Sequence, residues 1–197
     1  VDFHQPEVKN TMKIMLPATF SSGMLHINLY TDLFFASLIP VNGVAAGLAN
    51  AGLLVQTPLG IISNVILVPL LPLFSQLTDI QYRQELKLRI RQGLILSAFT
   101  MLPLGALMVA LSLPIVQVIY ERGAFDYKDS VLVSSLLIVN GIGMFVYLGR
   151  DVLVRVFYAL GDGQTPFCIS MVNIGLNIIF DYIFVNTLGA PGLVLAT

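Results

Sequence analysis

Charged and amide side chains interrupt two long apolar runs near the carboxyl end. Arg150, Asp151 and Arg155 stand in one run and Asn173, Asn177 and Asp181 in the next, with Gly161-Asp162-Gly163 and Pro166 between. The glycines and the proline mark a turn, so 130–160 reads as one long helix and 166–187 as the following one. Asn173, Asn177 and Asp181 recur every four residues and form one polar stripe along a helix. An earlier apolar run carries Asn28 and Asp32 at the same spacing. Ionisable groups in hydrocarbon are costly; they face a bundle interior or a water-filled cavity and mark ion or substrate pathways.

Depth can be read from the helical rise of ~1.5 Å per residue, which puts Asp32, Asp181 and Thr197 each ~9–12 Å inside one membrane face. Asp32, Asn177, Asp181 and Thr197 together offer two carboxylates, an amide and a hydroxyl. These hard oxygen ligands suit a hard cation rather than a soft transition metal, so a Na⁺ site, or a pair of proton-exchanging aspartates, is the chemistry expected. The plainer reading is that the two aspartates bond polar groups on neighbouring helices and serve packing. Arg155, ~7.5 Å from the end of its helix, can snorkel to the interface, whereas Arg150 lies ~15 Å in. Arg150 is the candidate contact for an anionic head group, with an inter-helix salt bridge as its alternative. Asp151 and Arg155 are four apart and can pair on one face. Asn28 and Gln56 complete the polar positions expected along a substrate path. No phosphate-binding loop, no H-E-x-x-H and no cysteine-rich spacing occurs, and neither His4 nor His26 has a partner that would activate a nucleophile, so catalysis is not expected.

The elements that must position these residues follow from composition. Apolar residues make up 56% of the 197-residue chain and charged ones 11%, with a mean hydropathy of +0.86, against roughly 25% charged residues in ordinary soluble domains. The chain reads as an all-α integral membrane protein with five complete spans, at 14–39, 44–74, 93–119, 130–160 and 166–187, and the start of a sixth at 189–197. Residues 1–13 read as a polar linker without the features of a signal peptide, and the chain as a fragment of a larger protein. Residues 75–92, rich in Arg83, Lys87, Arg89 and Arg91, read as a short amphipathic surface helix. Pro58, Pro69 and Pro72 predict a kinked second span. Gly141 and Gly143 predict close helix packing, and Cys168 reads as inert packing within a span. By the positive-inside rule the clusters around Lys9, Arg83–Arg91 and Arg155 lie on the cytoplasmic side.

Three stretches carry a family resemblance: Ile119-Tyr120-Glu121-Arg122-Gly123-Ala124-Phe125-Asp126; Phe157-Tyr158-Ala159-Leu160-Gly161-Asp162 with Thr165-Pro166; and Gln56-Thr57-Pro58-Leu59-Gly60 before Leu70-Leu71-Pro72. In this order and spacing the chain resembles the MurJ (MviN) family of bacterial lipid II flippases, within the MATE-like exporter superfamily. The resemblance implies the second lobe of a two-lobe transporter in the bacterial cytoplasmic membrane. It implies movement of an undecaprenyl-pyrophosphate-linked peptidoglycan precursor from inner to outer leaflet by alternating access, coupled to a cation gradient or the membrane potential. Lipid II or a related glycan, membrane lipids and a first lobe of the same protein are the partners implied; nucleic acid is not. Leu53 stands where many members carry an arginine, so one cationic substrate contact is missing. A MATE-type cation-coupled drug exporter, a flippase for another polyprenyl-linked glycan and a non-transporting scaffold are the competing readings.

Overall fold

One helix organises the bundle. The sequence from Tyr127 to Ala159 places Val133, Leu136, Leu137, Met144, Leu148, Val152 and Val156 at spacings of three, four and seven or eight, and all are buried. Such a stripe lets a single helix serve as the core for several neighbours. Its start is fixed by a reciprocal cap. The Asp126 carboxylate accepts from the Lys128 and Asp129 amides, while the Asp129 carboxylate accepts from the Asp126 amide, satisfying donors that a helix start leaves open.

The computed structural model describes residues 27–28, 30–77 and 80–197. The proposed linker at 1–13 and the first half of the first predicted span lie outside them. In chain order, α1 covers residues 30–38, continuing from helical residues 27 and 28. It is followed by α2 (Val44–Gln76), a 3₁₀ turn (Ile80–Tyr82), α3 (Arg83–Ala110), α4 (Ser112–Tyr120), α5 (Tyr127–Ala159), α6 (Gln164–Leu188) and α7 (Ala190–Ala196). Helices α2, α3, α5 and α6 are long and apolar enough to cross a membrane. Every regular element among the described residues is helical, and the chain is a multi-pass membrane protein.

α2 and α3 both pack extensively on α5, α4 and α7 also contact it, and α6 leans mainly on α7. α2 runs through Pro58, Pro69 and Pro72 without ending, as a bundle that re-satisfies freed backbone groups allows. The basic segment does not form a separate surface helix, and the third span does not run unbroken to Ile119. Leu86, Gly93, Ser97 and Met101 continue one buried stripe from the basic stretch into the apolar one, so helical periodicity carries through and α3 begins at Arg83. The break falls at Leu111, where Pro114 has no N–H to offer the Ala110 carbonyl. Gly141 is the close-packing position expected: a Cβ on Gly105 of α3 would collide with the Gly141 carbonyl. Gly143 faces the ring of Tyr147 on its own helix instead. Cys168 is exposed on α6 rather than packed inside.

Candidate functional site

α6 is unusual in what it buries. Its fully buried residues are Pro166, Asn177 and Asp181, while Ile169, Val172, Leu176, Ile179 and Ile183 are exposed. The stripe turned inward is the polar one. It meets α1, which presents Asn28 and Asp32 one turn apart, and the end of α7, which presents Thr197.

These side chains converge. Thr197 Oγ1 donates to Asp32 Oδ2 at 3.0 Å, and Asn177 Nδ2 lies 3.4 Å from Asp32 Oδ1 and 3.3 Å from Thr197 Oγ1. The Asp181 carboxyl sits beside that of Asp32, with the residue 0% exposed. All four residues of the sequence-derived cation set are therefore in one cluster. What the cluster leaves unmatched is one-sided: both Asp181 oxygens, Asn177 Oδ1 and the neighbouring Asn28 Oδ1 are buried without a hydrogen-bond partner. Every one of these orphans is an acceptor. Buried polar groups are ordinarily paired, and a set of orphaned acceptors is the arrangement a hard cation or a proton completes. With two carboxylates, the cluster falls short of the three or more His, Cys, Asp or Glu side chains that would form a transition-metal group, and no such group occurs among the described residues.

A cavity of about 210 Å³ lies next to the cluster, and its walls include Asn28, Arg150, Phe157, Pro166, Ser170 and Asn173. Asn28 thus belongs to both places. Arg150 is half exposed there and its Nε is 3.8 Å from Asp151 Oδ1. Asp151 pairs with this neighbour rather than with Arg155. Consecutive side chains diverge on a helix, so the contact is long and leaves the Arg150 guanidinium largely free to face the cavity. Arg155 is partly buried and makes no ion pair among the described residues. Gln56 is exposed on α2 and is not brought to the cluster or the cavity wall. Tyr147, which sequence reasoning did not single out, lies on α5 one turn before Arg150 and within electrostatic reach of both Arg150 and Asp32.

Membrane-length helices enclosing a buried carboxylate, with an arginine-bearing cavity alongside, define a polytopic membrane protein. The family follows from sequence: the model of the lipid II flippase MurJ matches residues 1–197, and the chain belongs to that family. A probable lipid II flippase MurJ from Synechocystis sp. is 58% identical over 196 residues, covering 100% of this chain and 36% of the relative. Another from Rickettsia prowazekii is 33% identical, covering 99% and 38%. A solved structure of lipid II flippase MurJ in an inward closed conformation superposes with a TM-score of 0.82 at 26% identity, covering 96% of this chain and 41% of that one. The chain thus spans well under half the length of these relatives.

Proposed function

We propose that this chain forms one lobe of a lipid II flippase, supplying part of the route for the anionic head group and the site of a coupling cation. The observation that carries the reading is the juxtaposition of two opposite chemistries. A cluster at Asp32, Asn177, Asp181 and Thr197 whose unpartnered atoms are all acceptors adjoins a cavity in which Arg150 is the basic wall residue among the described residues. Asn28 lines that cavity and lies one helical turn from Asp32. Arg150 would meet a pyrophosphate oxygen as a fixed cation with several donors. The cluster would hold Na⁺ through the Asp181 and Asp32 carboxylates, the Asn177 carbonyl oxygen and the Thr197 hydroxyl, or would exchange protons at the aspartates. Because its ligands come from α1, α6 and α7, filling the cluster draws those three elements together, the kind of differential contact that biases an alternating-access equilibrium. A first lobe completes the cavity. Arg150 in the wall argues against a cationic drug as cargo, and Asp151 and Arg155 set the local charge around it.

The test is rescue of growth in cells depleted of their own lipid II flippase. The complete natural protein should restore growth, while Arg150→Ala and Asp181→Asn, present at normal membrane levels, should not. Failure of the well-expressed wild type would remove lipid II as substrate and favour another polyprenyl-linked glycan.

A further inference from the structure

A second recess lies between α2 and α3 and shares no lining residue with the polar sites. Ile62, Val65, Pro69 and Leu70 of α2 and Leu96 and Thr100 of α3 line a groove of about 450 Å³, a volume within the ~300–1,000 Å³ of ligand clefts. Its wall is dry. The Thr100 hydroxyl is spent on the Leu96 and Ser97 carbonyls, so the side chain adds no free polar group. One turn before Leu96 the groove closes, because α2 and α3 meet where Gly93 sits against Leu70; a Cβ on Gly93 would lie 3.2 Å from Leu70 Cδ1.

Beyond that closure the chemistry changes sign. Residues 83–91 carry Arg83, Lys87, Arg89 and Arg91 against the single acid Glu85. Arg89 is seven residues from Leu96 and eleven from Thr100, spacings that put it on the groove face of α3. Its guanidinium reaches Glu85 at 3.6 Å and Gln92 at 3.4 Å, both long contacts, and its Nε is buried with no partner at all. Along α3, Arg89 is ~10 Å from Leu96 and ~16 Å from Thr100. An apolar groove that closes one helical turn short of an arginine with an unspent donor, inside a cationic segment, matches the two ends of an amphiphile.

We propose that the α2–α3 groove and Arg89 form a binding site for one anionic diacyl phospholipid, an acyl chain lying in the groove and the head-group phosphate accepting from Arg89. Arg83, Lys87 and Arg91, which make no ion pair among the described residues, raise the local concentration of anionic lipid without contacting it specifically. The inference is independent of the substrate proposed above, since it uses none of that site's residues.

Native mass spectrometry of the complete natural protein, released from detergent after mixing with equal amounts of phosphatidylglycerol and phosphatidylcholine of identical acyl chains, tests it. Wild type should retain phosphatidylglycerol about fivefold over phosphatidylcholine, the ratio one well-placed cation supplies near an anionic surface. Arg89→Ala should bring the ratio near one, and Arg89→Lys should restore part of it. Leu96→Trp, which fills the groove and leaves Arg89 in place, should lower retention of both lipids. Circular dichroism of each variant identifies any that unfold, and Thr100→Trp substitutes for Leu96→Trp in that case. No head-group preference in wild type would overturn the proposal. So would an equal loss in an Arg83→Gln, Lys87→Gln variant, because that is diffuse attraction. Preferential retention of undecaprenyl phosphate over phosphatidylglycerol would also overturn it, making the groove part of the substrate route.

Discussion

Asp181 is fully buried and neither of its oxygens has a hydrogen-bond partner, an arrangement that costs several kcal/mol for a lone charge. Replacing it should therefore separate stability from ligand binding. Asp181→Asn is expected to leave the protein at least as heat-stable as wild type without sodium, while abolishing the rise in melting temperature that NaCl gives wild type over choline chloride. Equal sodium response in the two proteins would reduce the cluster to packing. At the turn before α6, Asp162 shows a carboxylate with the opposite surroundings. It accepts from the Thr165 hydroxyl at 2.6 Å and from the Thr165 and Gln164 amides, and these bonds, the hydroxyl's first, hold its carboxyl below the usual range. A lowered folded value means its contribution is present above the unfolded carboxylate pKa of about 3.9 and is lost as pH falls through the folded value. The melting-temperature gap between wild type and Asp162→Ala should be full at neutral pH and close as pH drops below that range. Residue spacing in the sequence already placed Asn28 with Asp32 and Asn177 with Asp181 on shared faces, because period four in an apolar run has one geometric meaning. Tyr147 was not legible in that way, since a tyrosine in a span carries no charge pattern and only the folded arrangement brings it within electrostatic reach of Asp32. Gln56 misled for the complementary reason: a polar residue in an apolar run looks inward-facing until the helix's rotation is known.

At the scale of elements, α3 and α5 approach so closely at Gly105 and Gly141 that no side chain fits between them. Gly105→Leu is expected to destabilise the bundle by about 1–3 kcal/mol or more, the range for forcing methylenes into a packed interface. Gly60, where an added Cβ would meet no neighbouring element within 4 Å, serves as the control, and Gly60→Ala should change the melting temperature little. Chemical denaturation in detergent, followed by helical circular dichroism, reads both. The small-residue pattern at 141 and 143 was visible in the sequence, but which glycine faces a neighbour depends on the helix's rotation, and Gly143 turned toward Tyr147. The start of α3 was misplaced for an analogous reason. Charge density suggested a surface helix over 75–92, yet Leu86 and Gly93 hold the same buried stripe as Ser97 and Met101, and the periodicity rather than the charge sets where the helix begins. α2 ran as read from Val44, because its prolines lie where a bundle tolerates them.

Across the whole molecule the apolar core and the polar cluster hold different parts together. Val133, Leu136, Met144, Leu148 and Val152 of α5 pack with Ala51, Val55 and Leu67 of α2 and Met101 of α3 into one core, which fixes α2, α3 and α5 relative to one another. α6 contributes no fully buried aliphatic or aromatic side chain to that core; apart from Pro166, what it buries is Asn177 and Asp181. Its attachment runs through α7 and through the hydrogen bonds among Asn177, Asp32 and Thr197. Ala36 of α1 and Ala190 and Leu193 of α7 join the core, so α6 is the weakly held element and α1 and α7 link it to the α2–α3–α5 unit. Weakly held elements are the ones that open at low free energy and move in function. Removing the hydroxyl that ties α7 to α1 should therefore loosen α6 and its links and leave the α2–α3–α5 unit alone. In Thr197→Val, hydrogen–deuterium exchange should rise by several-fold in peptides from α1, α6 and α7 and stay at the wild-type level in α3 and the middle of α5. Sodium should slow exchange in the first group only, and less so in the variant. Uniform acceleration across all helices would show instead that the cluster contributes to a single cooperative fold, and α6 would then have no independent motion for a bound cation to control.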